Sequence, residues 1–370
     1  MNPAEPPPTL RQRKRGNYAR NIAGVVVSGL CIGFMAWRID FAGAKSAITN
    51  FDVSYLAWGV LSLSLGYSAR ILRWSTMLRA AGADTSPMKC AAPFLGSIAL
   101  NNVLPARLGD VVRAFVFPSA LGISRIVSTG TLVMERLADL ATLLLFLLIG
   151  LVAYPTARLP ESVKLSAIVL SVGAVVALLA IFVFSGPLSS FCFGLARRDF
   201  GKHNTIARRL LTGCAALLAT FRAMSRPSVL IGIFALSLLA WAGESGLFLA
   251  FLKGFGISAT PASAAIVMTM ATLATLVPSS PGYVGPFHLA AYTAMTLLGS
   301  SADVAASFAV LTHAGIWMST TFAGGLAILS NPGLFGGRRL EFANGSSGFQ
   351  VDAGADFGGS APRPRPDATA

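Results

Sequence analysis

The charged side chains best able to do chemistry in this sequence lie inside stretches that are otherwise apolar. They are Arg70, Arg73, Arg107, Asp110, Arg113, Glu135, Arg136 and Asp139. A lone charge near the centre of a membrane helix costs about 2.5 to 3.5 kcal/mol on insertion scales, so such charges must be paired or face water. Because the planar fork of arginine suits bidentate contact with phosphate, these residue types predict a polar cavity that binds an anion. A network of structural ion pairs between helices is the alternative.

Helical spacing brings several of these charges together. Glu135 and Asp139 are four residues apart and share one helix face, whereas Arg136 points to a neighbouring helix. Arg70 and Arg73 are three residues apart near the predicted cytoplasmic end of a span. Arg70 lies a turn deeper and favours the site, and Arg73 either joins it or snorkels to the lipid headgroups.

Two apolar stretches are interrupted in the middle by proline and glycine. Residues 88–117 are interrupted at LPARLGD, and residues 261–299 at VPSSPGY. Proline removes a backbone donor and glycine frees the dihedral angles, so each stretch is predicted to be two half-helices that meet at a broken turn. Exposed amides and a helix N-terminus at such a turn favour an anion. The candidate site residues around the two breaks are Asn101, Asn102, Pro105, Arg107, Gly109, Asp110, Arg113, Pro278, Pro281 and Gly282.

Two further polar residues, Glu244 and His313, stand alone in apolar spans. We interpret each as a hydrogen bond between helices, with a proton relay as the alternative. The sequence contains no HExxH zinc motif, Walker loop, Gly-x-Ser-x-Gly elbow or dinucleotide fingerprint. The four cysteines are far apart and show no metal-ligand spacing. We therefore expect a protein that is not an enzyme and holds no metal and no cofactor.

Composition identifies the elements that must position these residues. Hydrophobic residues make up 54% of the 370 residues, charged residues only 12%, and the mean hydropathy is +0.67. Soluble domains carry about 25% charged residues, so an ordinary soluble protein is excluded. The net charge of +14 would suggest nucleic acid in a soluble protein. Here the basic residues lie mainly between apolar runs, which indicates membrane orientation and no nucleic-acid partner.

The apolar runs predict an all-α polytopic membrane protein. Because about 20 residues of helix cross the hydrocarbon core, six runs qualify as full spans. They are 22–38, 53–74, 126–153, 163–185, 228–252 and 303–329. The two interrupted stretches are predicted to be re-entrant, each returning to the side it came from. Residues 1–20 are expected to form a disordered basic arm, 21–330 the membrane domain, and 331–370 a disordered tail.

The distribution of basic residues supports this topology. If both broken stretches are re-entrant, one face of the membrane holds most of the Lys and Arg residues. This face comprises the N-terminal arm, the segments 75–125 and 186–227, and the tail. The opposite face holds Lys45, Arg158, Lys164 and Lys253. The positive-inside rule therefore predicts that both termini are cytoplasmic, in a bacterial inner membrane.

The chain also repeats itself. Leu78 to Pro87 matches Leu252 to Pro261 at an offset of 174 residues, and the pattern Pro-x3-Gly-x-Val at 105–111 recurs at 278–284. Three crossings separate the two copies, so they have opposite orientations. An inverted repeat with a broken helix in each half is typical of transporters with a site near the bilayer midplane.

Four segments, in this order, resemble a known membrane family. ARILRWSTMLRAAG, NNVLPARLGDVVRAF, MERLAD and VPSSPGYVGPF are similar to the integral-membrane domain of the lysylphosphatidylglycerol synthase family, also called flippase-like or YbhN-type. The resemblance covers about residues 20 to 330. In two-domain members this membrane part is thought to move aminoacylated phosphatidylglycerol between leaflets, and a soluble domain makes the lipid. We expect no synthase activity here, because residues 331–370 leave no room for that domain.

These observations lead to the hypothesis of a lipid translocator that acts in envelope lipid metabolism. Arg70, Arg107 and Arg113 would hold an anionic headgroup, and Asn102 would orient it. Glu135, Arg136 and Asp139 would set the polarity of the cavity. The rival hypothesis is a membrane scaffold that does not transport and recruits an envelope-lipid biosynthetic enzyme through the basic segment 197–209.

Overall fold

The computed structural model describes residues 26–38, 40–154, 161–197, 205–277 and 279–335. Within those ranges the chain consists of helices and turns and contains no strand. In chain order the helices are α1 (Val26–Arg38), α2 (Phe41–Thr49), α3 (Ser54–Ala80), α4 (Pro87–Val103), α5 (Leu108–Phe115), α6 (Pro118–Leu121), α7 (Arg125–Ala153), α8 (Glu161–Arg197), α9 (Thr205–Met224), α10 (Pro227–Gly254), α11 (Pro261–Ala274), α12 (Pro286–Leu297) and α13 (Ala302–Leu329).

The apolar runs predicted as spans are helical wherever the structure describes them. Two helices end later than their predicted spans: α3 continues to Ala80 and does not end near residue 74, and α8 continues through Pro187 to Arg197 and does not end near residue 185. The missing amide of a proline interrupts one helical hydrogen bond, and membrane helices tolerate such an interruption. By length and hydropathy, α7 and α10 are clear spans, and the sharply bent pair of α1 with residues 42–49 would make a third. Within the described residues, the structure thus gives two to three clear apolar spans against the predicted six. In α3, Arg70 and Arg73 interrupt an otherwise apolar helix.

Both interrupted stretches break where proline and glycine predict. After α4, a short turn over Pro105–Arg107 leads into α5. After α11, a turn over Pro281–Tyr283 precedes α12. The helices before the two breaks begin in the same way, since Ser86 caps α4, Thr260 caps α11, and each cap is followed by proline at the first helical position.

The most extensive contact between two described helices joins α3 to α10 and includes small residues. A side-chain carbon added at Gly66 would lie 2.7 Å from the Ala240 carbonyl oxygen, and one added at Gly243 would lie 2.6 Å from the Gly66 backbone. Small residues let helix backbones approach closely, which strengthens packing where lipid supplies no hydrophobic drive. Around this pair, α4 packs on α13 and α11 packs on α7.

The largest apolar core lies among α10, α11, α12 and α13. Phe248, Phe251 and Phe308 are fully buried in it. The first residues of the predicted tail also pack, because Leu334 is buried and the Phe335 ring lies 5.4 Å from that of Phe117. The predicted arm at 1–20 and the tail after residue 335 lie outside the described residues.

Candidate functional site

The two broken turns have the same unusual backbone. Ala106 and Arg107 have φ of 59° and 54°, and Gly282 and Tyr283 have φ of 71° and 61°. A residue other than glycine in this left-handed region costs roughly 1 to 2 kcal/mol. Such conformations persist where the surrounding structure fixes them, and they cluster at functional sites. Both turns are therefore candidates for a role beyond connecting helices.

An outer cavity of about 460 Å³ lies between these turns. Its walls come from Asn101, Leu104, Pro105, Ala106, Arg107, Thr275, Leu276, Val277, Ser279, Ser280, Pro281, Gly282 and Tyr283. The residues at 101–107 and at 275–283 are far apart in the sequence and enclose one space. The two breaks thus build a common site, as the half-helix interpretation requires.

Arg107 connects the two sides of the outer cavity. Its Nη2 donates to the Thr275 carbonyl oxygen at 3.1 Å, and its guanidinium carbon lies 5.2 Å from the centre of the Tyr283 ring. No described carboxylate lies within ion-pair distance of Arg107, whereas Arg70, Arg73, Arg113 and Arg136 are each paired. The charge of Arg107 is therefore available for an anion.

An inner cavity of about 150 Å³ continues from the outer one. The two share Asn101, Arg107, Thr275, Gly282 and Tyr283. The charged residues around the inner cavity are Arg70, Arg107, Arg136 and Glu244. Arg70 and Arg136 each have a carboxylate partner, so the positive charge of Arg107 is in excess here, and such a charge attracts anions most strongly where water is scarce.

Arg136 is held at the wall of the inner cavity by Asp110. Its Nη2 donates to both Asp110 oxygens, at 2.8 and 3.0 Å. Asn101 fixes the same carboxylate, because its amide donates to Asp110 Oδ1 at 2.9 Å and its oxygen accepts from the Asp110 backbone at 3.0 Å. The Arg136 side chain remains 38% exposed. It can thus face a ligand without leaving its partner.

Arg70 lies deeper in the inner cavity, paired with Glu244. Its Nη2 lies 2.6 Å from Glu244 Oε2. Its guanidinium carbon is 4.1 Å from the centre of the Trp241 ring and 5.4 Å from that of Tyr67. Aromatic faces attract a cation, so both rings help to hold Arg70 in place. The hydrogen bond between helices predicted for Glu244 is therefore present, and because its donor is Arg70 it is also an ion pair.

The structure places four predicted site residues away from both cavities. Arg73 is fully buried and donates to Asp139 and Ser237, each at 2.7 Å, so it does not snorkel to the headgroups. Arg113 is equally buried and forms a two-pronged pair with Glu135 at 2.7 and 3.2 Å. A guanidinium that is enclosed and paired in this way cannot reach a ligand in either cavity. We therefore remove both pairs from the candidate site and assign them to helix packing.

The remaining predicted residues divide between the cavity walls and the packing around them. Pro105, Pro281 and Gly282 line the outer cavity. Asn102 lines the inner cavity and donates to the hydroxyls of Thr320 and Thr321, so its amide is already used. Gly109 is buried where α5 meets α4. Glycine is needed there, because any side chain would overlap the Ser97 carbonyl. Pro278 lies outside the described residues.

His313 also borders the inner cavity. Its Nε2 lies 2.7 Å from the Gly282 carbonyl oxygen, and its ring centre lies 4.6 Å from that of His288. His288 in turn accepts a hydrogen bond from the Gly285 backbone at 3.3 Å. The hydrogen bond predicted for His313 is therefore present, and it supports the second turn.

Several cavity residues were not among the predicted site residues, and four of them contact the cavity arginines: Tyr67 and Trp241 beside Arg70, and Thr275 and Tyr283 beside Arg107. The repeat offset of 174 residues could have found Thr275 from the candidate Asn101, but not Tyr67 or Trp241, because neither of these was a candidate. Tyr67 and Trp241 are 174 residues apart, as are Asn101 and Thr275. Applying the same offset to every candidate would have extended the site.

Comparisons with known proteins agree with the membrane architecture. Residues 21–324 match the family described as Lysylphosphatidylglycerol synthase TM region. A UPF0104 membrane protein of Methanothermobacter thermautotrophicus is 23% identical over 306 residues, which cover 80% of this chain and 90% of that protein. Glycosyltransferase AglD of Haloferax volcanii is 28% identical over 123 residues, which cover 33% of this chain and 20% of that protein. No solved structure matches the chain. This chain is a membrane protein that belongs to the lysylphosphatidylglycerol synthase TM region family.

Proposed function

We propose that this protein moves a lipid with an anionic headgroup between the leaflets of the bacterial inner membrane. The observation that carries the proposal is Arg107, a guanidinium without a carboxylate partner among the described residues, in a cavity between two broken helices. The headgroup would cross through the two cavities while the acyl chains stay in the bilayer. This path lowers the cost of removing the headgroup charge from water.

The proposal includes an inverted repeat, in which α3 to α7 and α10 to α13 are equivalent halves. Several residues 174 apart have matching roles: Ser86 and Thr260 cap helices, and Tyr67 and Trp241 flank the Arg70 guanidinium. The packing is reciprocal as well, because α4 of one half contacts α13 of the other and α11 contacts α7. The turns with matching geometry begin at Pro105 and Pro281, so the offset near the break is 176 residues. In the proposed repeat, Pro105 therefore corresponds to Pro281 and not to Pro278, with which the sequence pattern paired it.

Helix geometry favours an anion at the second turn. α12 begins at Pro286, directly after this turn, and has no acidic residue in its first turn. The free amides and partial positive charge of a helix N-terminus then add to the charge of Arg107. Broken helices in transporters bind anionic groups in this way. We propose no covalent chemistry, with membrane lipid as the ligand and both termini on the cytoplasmic side.

The first test replaces Arg107 in purified full-length protein reconstituted into liposomes. With fluorescent phosphatidylglycerol as the probe, dithionite quenching measures how fast lipid moves between leaflets. We expect Arg107→Ala to slow lipid movement at least 30-fold, because a lost charged contact in a desolvated site costs about 2 kcal/mol or more. The matched control is Arg125→Ala, an exposed arginine at the start of α7, which should move lipid at the wild-type rate. Equal rates for Arg107→Ala and the control would contradict the proposal.

A second candidate function is favoured by the partial match to Glycosyltransferase AglD. Under this second hypothesis, the protein is a scaffold for a lipid or glycolipid biosynthetic enzyme and does not transport lipid itself. The basic segment at 197–209 is the contact predicted from the sequence, and the structure describes part of it. Replacing its arginines and lysines with serine should abolish co-purification of an enzyme if the scaffold function is correct. Wild-type protein that moves lipid in liposomes without a partner would argue against it.

A further inference from the structure

We infer that Glu244 binds a proton when an anionic headgroup enters the inner cavity, so that lipid binding and movement are linked to protons. This inference rests on the proposed function and adds the energy source. It starts from the position of Glu244, the carboxylate that lines the inner cavity among three guanidinium groups.

Glu244 is held less firmly than the other buried carboxylates near the site. Asp139 accepts from Arg73 at 2.7 Å and from the Trp241 ring nitrogen at 3.1 Å, Glu135 accepts both prongs of Arg113, and Asp110 accepts from Arg136 and Asn101. Glu244 instead has a single ion-pair contact, between Oε2 and one nitrogen of Arg70, with the Thr272 hydroxyl beside it.

The same Arg70 is the deepest guanidinium that a headgroup phosphate can reach. A phosphate oxygen that binds Arg70 takes the place of Glu244 Oε2. The released carboxylate would then lie buried beside a second negative charge. Burial and a nearby like charge both disfavour ionisation, so the carboxylate takes up a proton from water and becomes neutral.

The charge balance of this step is complete. One P–O⁻ group enters, one proton joins a Glu244 oxygen, and the total charge of the cavity is unchanged. Arg70 keeps one anionic partner throughout. When the lipid leaves, Glu244 releases its proton and pairs with Arg70 again.

Other titratable and charged groups that surround Glu244 or its cavity are Arg70 and Tyr67 of α3, Arg136 and Asp139 of α7, Arg107 and Tyr283 of the two turns, and His313 of α13. His313 is the other group that could take up a proton near neutral pH. Its Nε2 already interacts with the Gly282 carbonyl, and its position does not depend on Arg70. The test must therefore separate Glu244 from His313.

The experiment counts the protons that are linked to lipid binding. Full-length protein in detergent is titrated with short-chain phosphatidylglycerol by calorimetry, in two buffers of different ionisation enthalpy. The headgroup of this probe is a phosphate diester that does not titrate near neutral pH, so any proton taken up belongs to the protein. We expect about one proton per lipid, and an affinity that falls about tenfold for each unit of pH increase where Glu244 is ionised in the free protein.

Glu244→Gln keeps an oxygen for Arg70 but cannot bind the proton, so the count should fall to about zero. Glu161→Gln, an exposed glutamate at the start of α8, is the matched control and should give the wild-type count. Should E244Q not fold, the double change Arg70→Met with Glu244→Leu removes the pair as a unit. A wild-type count near zero, or an unchanged count in E244Q, overturns the inference, and the second result would point to His313.

This outcome is separate from that of the proposed function. Proton-linked binding without lipid movement in liposomes would overturn translocation and support the role of Glu244. Movement of lipid without a linked proton would support translocation and overturn the role of Glu244. If the probe does not bind at all, both fail.

Discussion

Four arginine side chains form ion pairs with carboxylates on other helices. Arg113 shows the consequence most clearly, because it is buried, pairs with Glu135 through two nitrogens and packs against the rings of Trp74 and Phe94. A buried charge of this kind is tolerable only as long as its partner remains. The ion pairs thus join α3, α5, α7 and α10 around the cavities, whereas Arg107 has no carboxylate partner among the described residues.

Removing one member of the buried pair should destabilise the fold strongly. We expect Arg113→Ala to lower the free energy of unfolding by about 3 to 5 kcal/mol, because Glu135 is left buried and uncompensated. The double variant Arg113→Met with Glu135→Leu removes both charges and should lose far less. Thermal unfolding in detergent, followed by size-exclusion chromatography, measures both variants. Equal losses in the single and double variants would contradict the pairing.

The residue types of the site were predictable from the sequence, but their partners were not. A charge in an apolar span stands out without any structure, and Arg70, Arg107 and Arg136 do line the cavities. Which carboxylate pairs with which arginine depends on which helices meet. Arg73 and Asp139 are 66 residues apart, so spacing along one helix could not show that Arg73 is enclosed.

At the scale of the helices, the contact between α3 and α10 is the most extensive one in the part of the chain that the structure describes. Gly66 and Gly243 allow the two backbones to approach closely. Arg70 follows Gly66 by one turn of α3, and its partner Glu244 directly follows Gly243 on α10. The geometry of the inner cavity therefore depends on how closely these two helices pack.

Adding a methyl group at this contact should separate the helices. We expect Gly66→Ala to cost about 1 to 3 kcal/mol, since the new carbon meets backbone atoms that cannot move aside. The control is Gly232→Ala on α10, where no atom lies within 4 Å of the added carbon. It should stabilise by about 0.4 to 1 kcal/mol, because alanine restricts the unfolded chain. Melting temperatures in detergent that shift in the same direction for both variants would contradict this packing.

Helix positions were predicted better than helix ends. Proline and a preceding Ser or Thr mark the starts of α4 and α11, and the Pro-Gly clusters mark both breaks, because these signals act locally. The end of α8 was missed, since the run after Pro187 stays apolar and neighbouring structure tolerates the proline. The left-handed pairs in the turns could not be predicted either, because Ala106 and Arg107 carry no local preference for such a backbone.

At the scale of the whole molecule, the two broken turns enclose the outer cavity, which the proposed function requires to be a water-accessible space between two equivalent halves. The caps and turns on which the proposed repeat rests are visible in the sequence. The register of the proposed repeat at the break is not visible there, since the four residues from Pro278 to Pro281 include two prolines that could align with Pro105. The turn geometry that Pro105–Arg107 shares with Pro281–Tyr283 favours Pro281 as the counterpart of Pro105.

Labelling from water tests this enclosure. In protein whose four native cysteines are replaced by serine, Ala106→Cys and Ser280→Cys place a thiol at each wall of the outer cavity. We expect both to react with a charged, membrane-impermeant thiol reagent in liposomes, because a wet cavity admits ions. Leu170→Cys, on the exposed surface of α8, should be protected by lipid. Thiols at 106 and 280 that are as unreactive as the thiol at 170 would show that the cavity is sealed from water.

The Arg70–Glu244 pair also bears on ancestry. The two residues are 174 positions apart and contact each other, so under the proposed repeat they lie where equivalent helices of the two halves cross. In an antiparallel dimer of one ancestral half, this crossing would bring together two copies of the same side chain, and two arginines or two glutamates would repel each other. Opposite charges at a symmetry axis become accessible only after gene duplication and fusion have freed each copy to mutate alone. The ion pair at the centre of the molecule would therefore be younger than the fold around it.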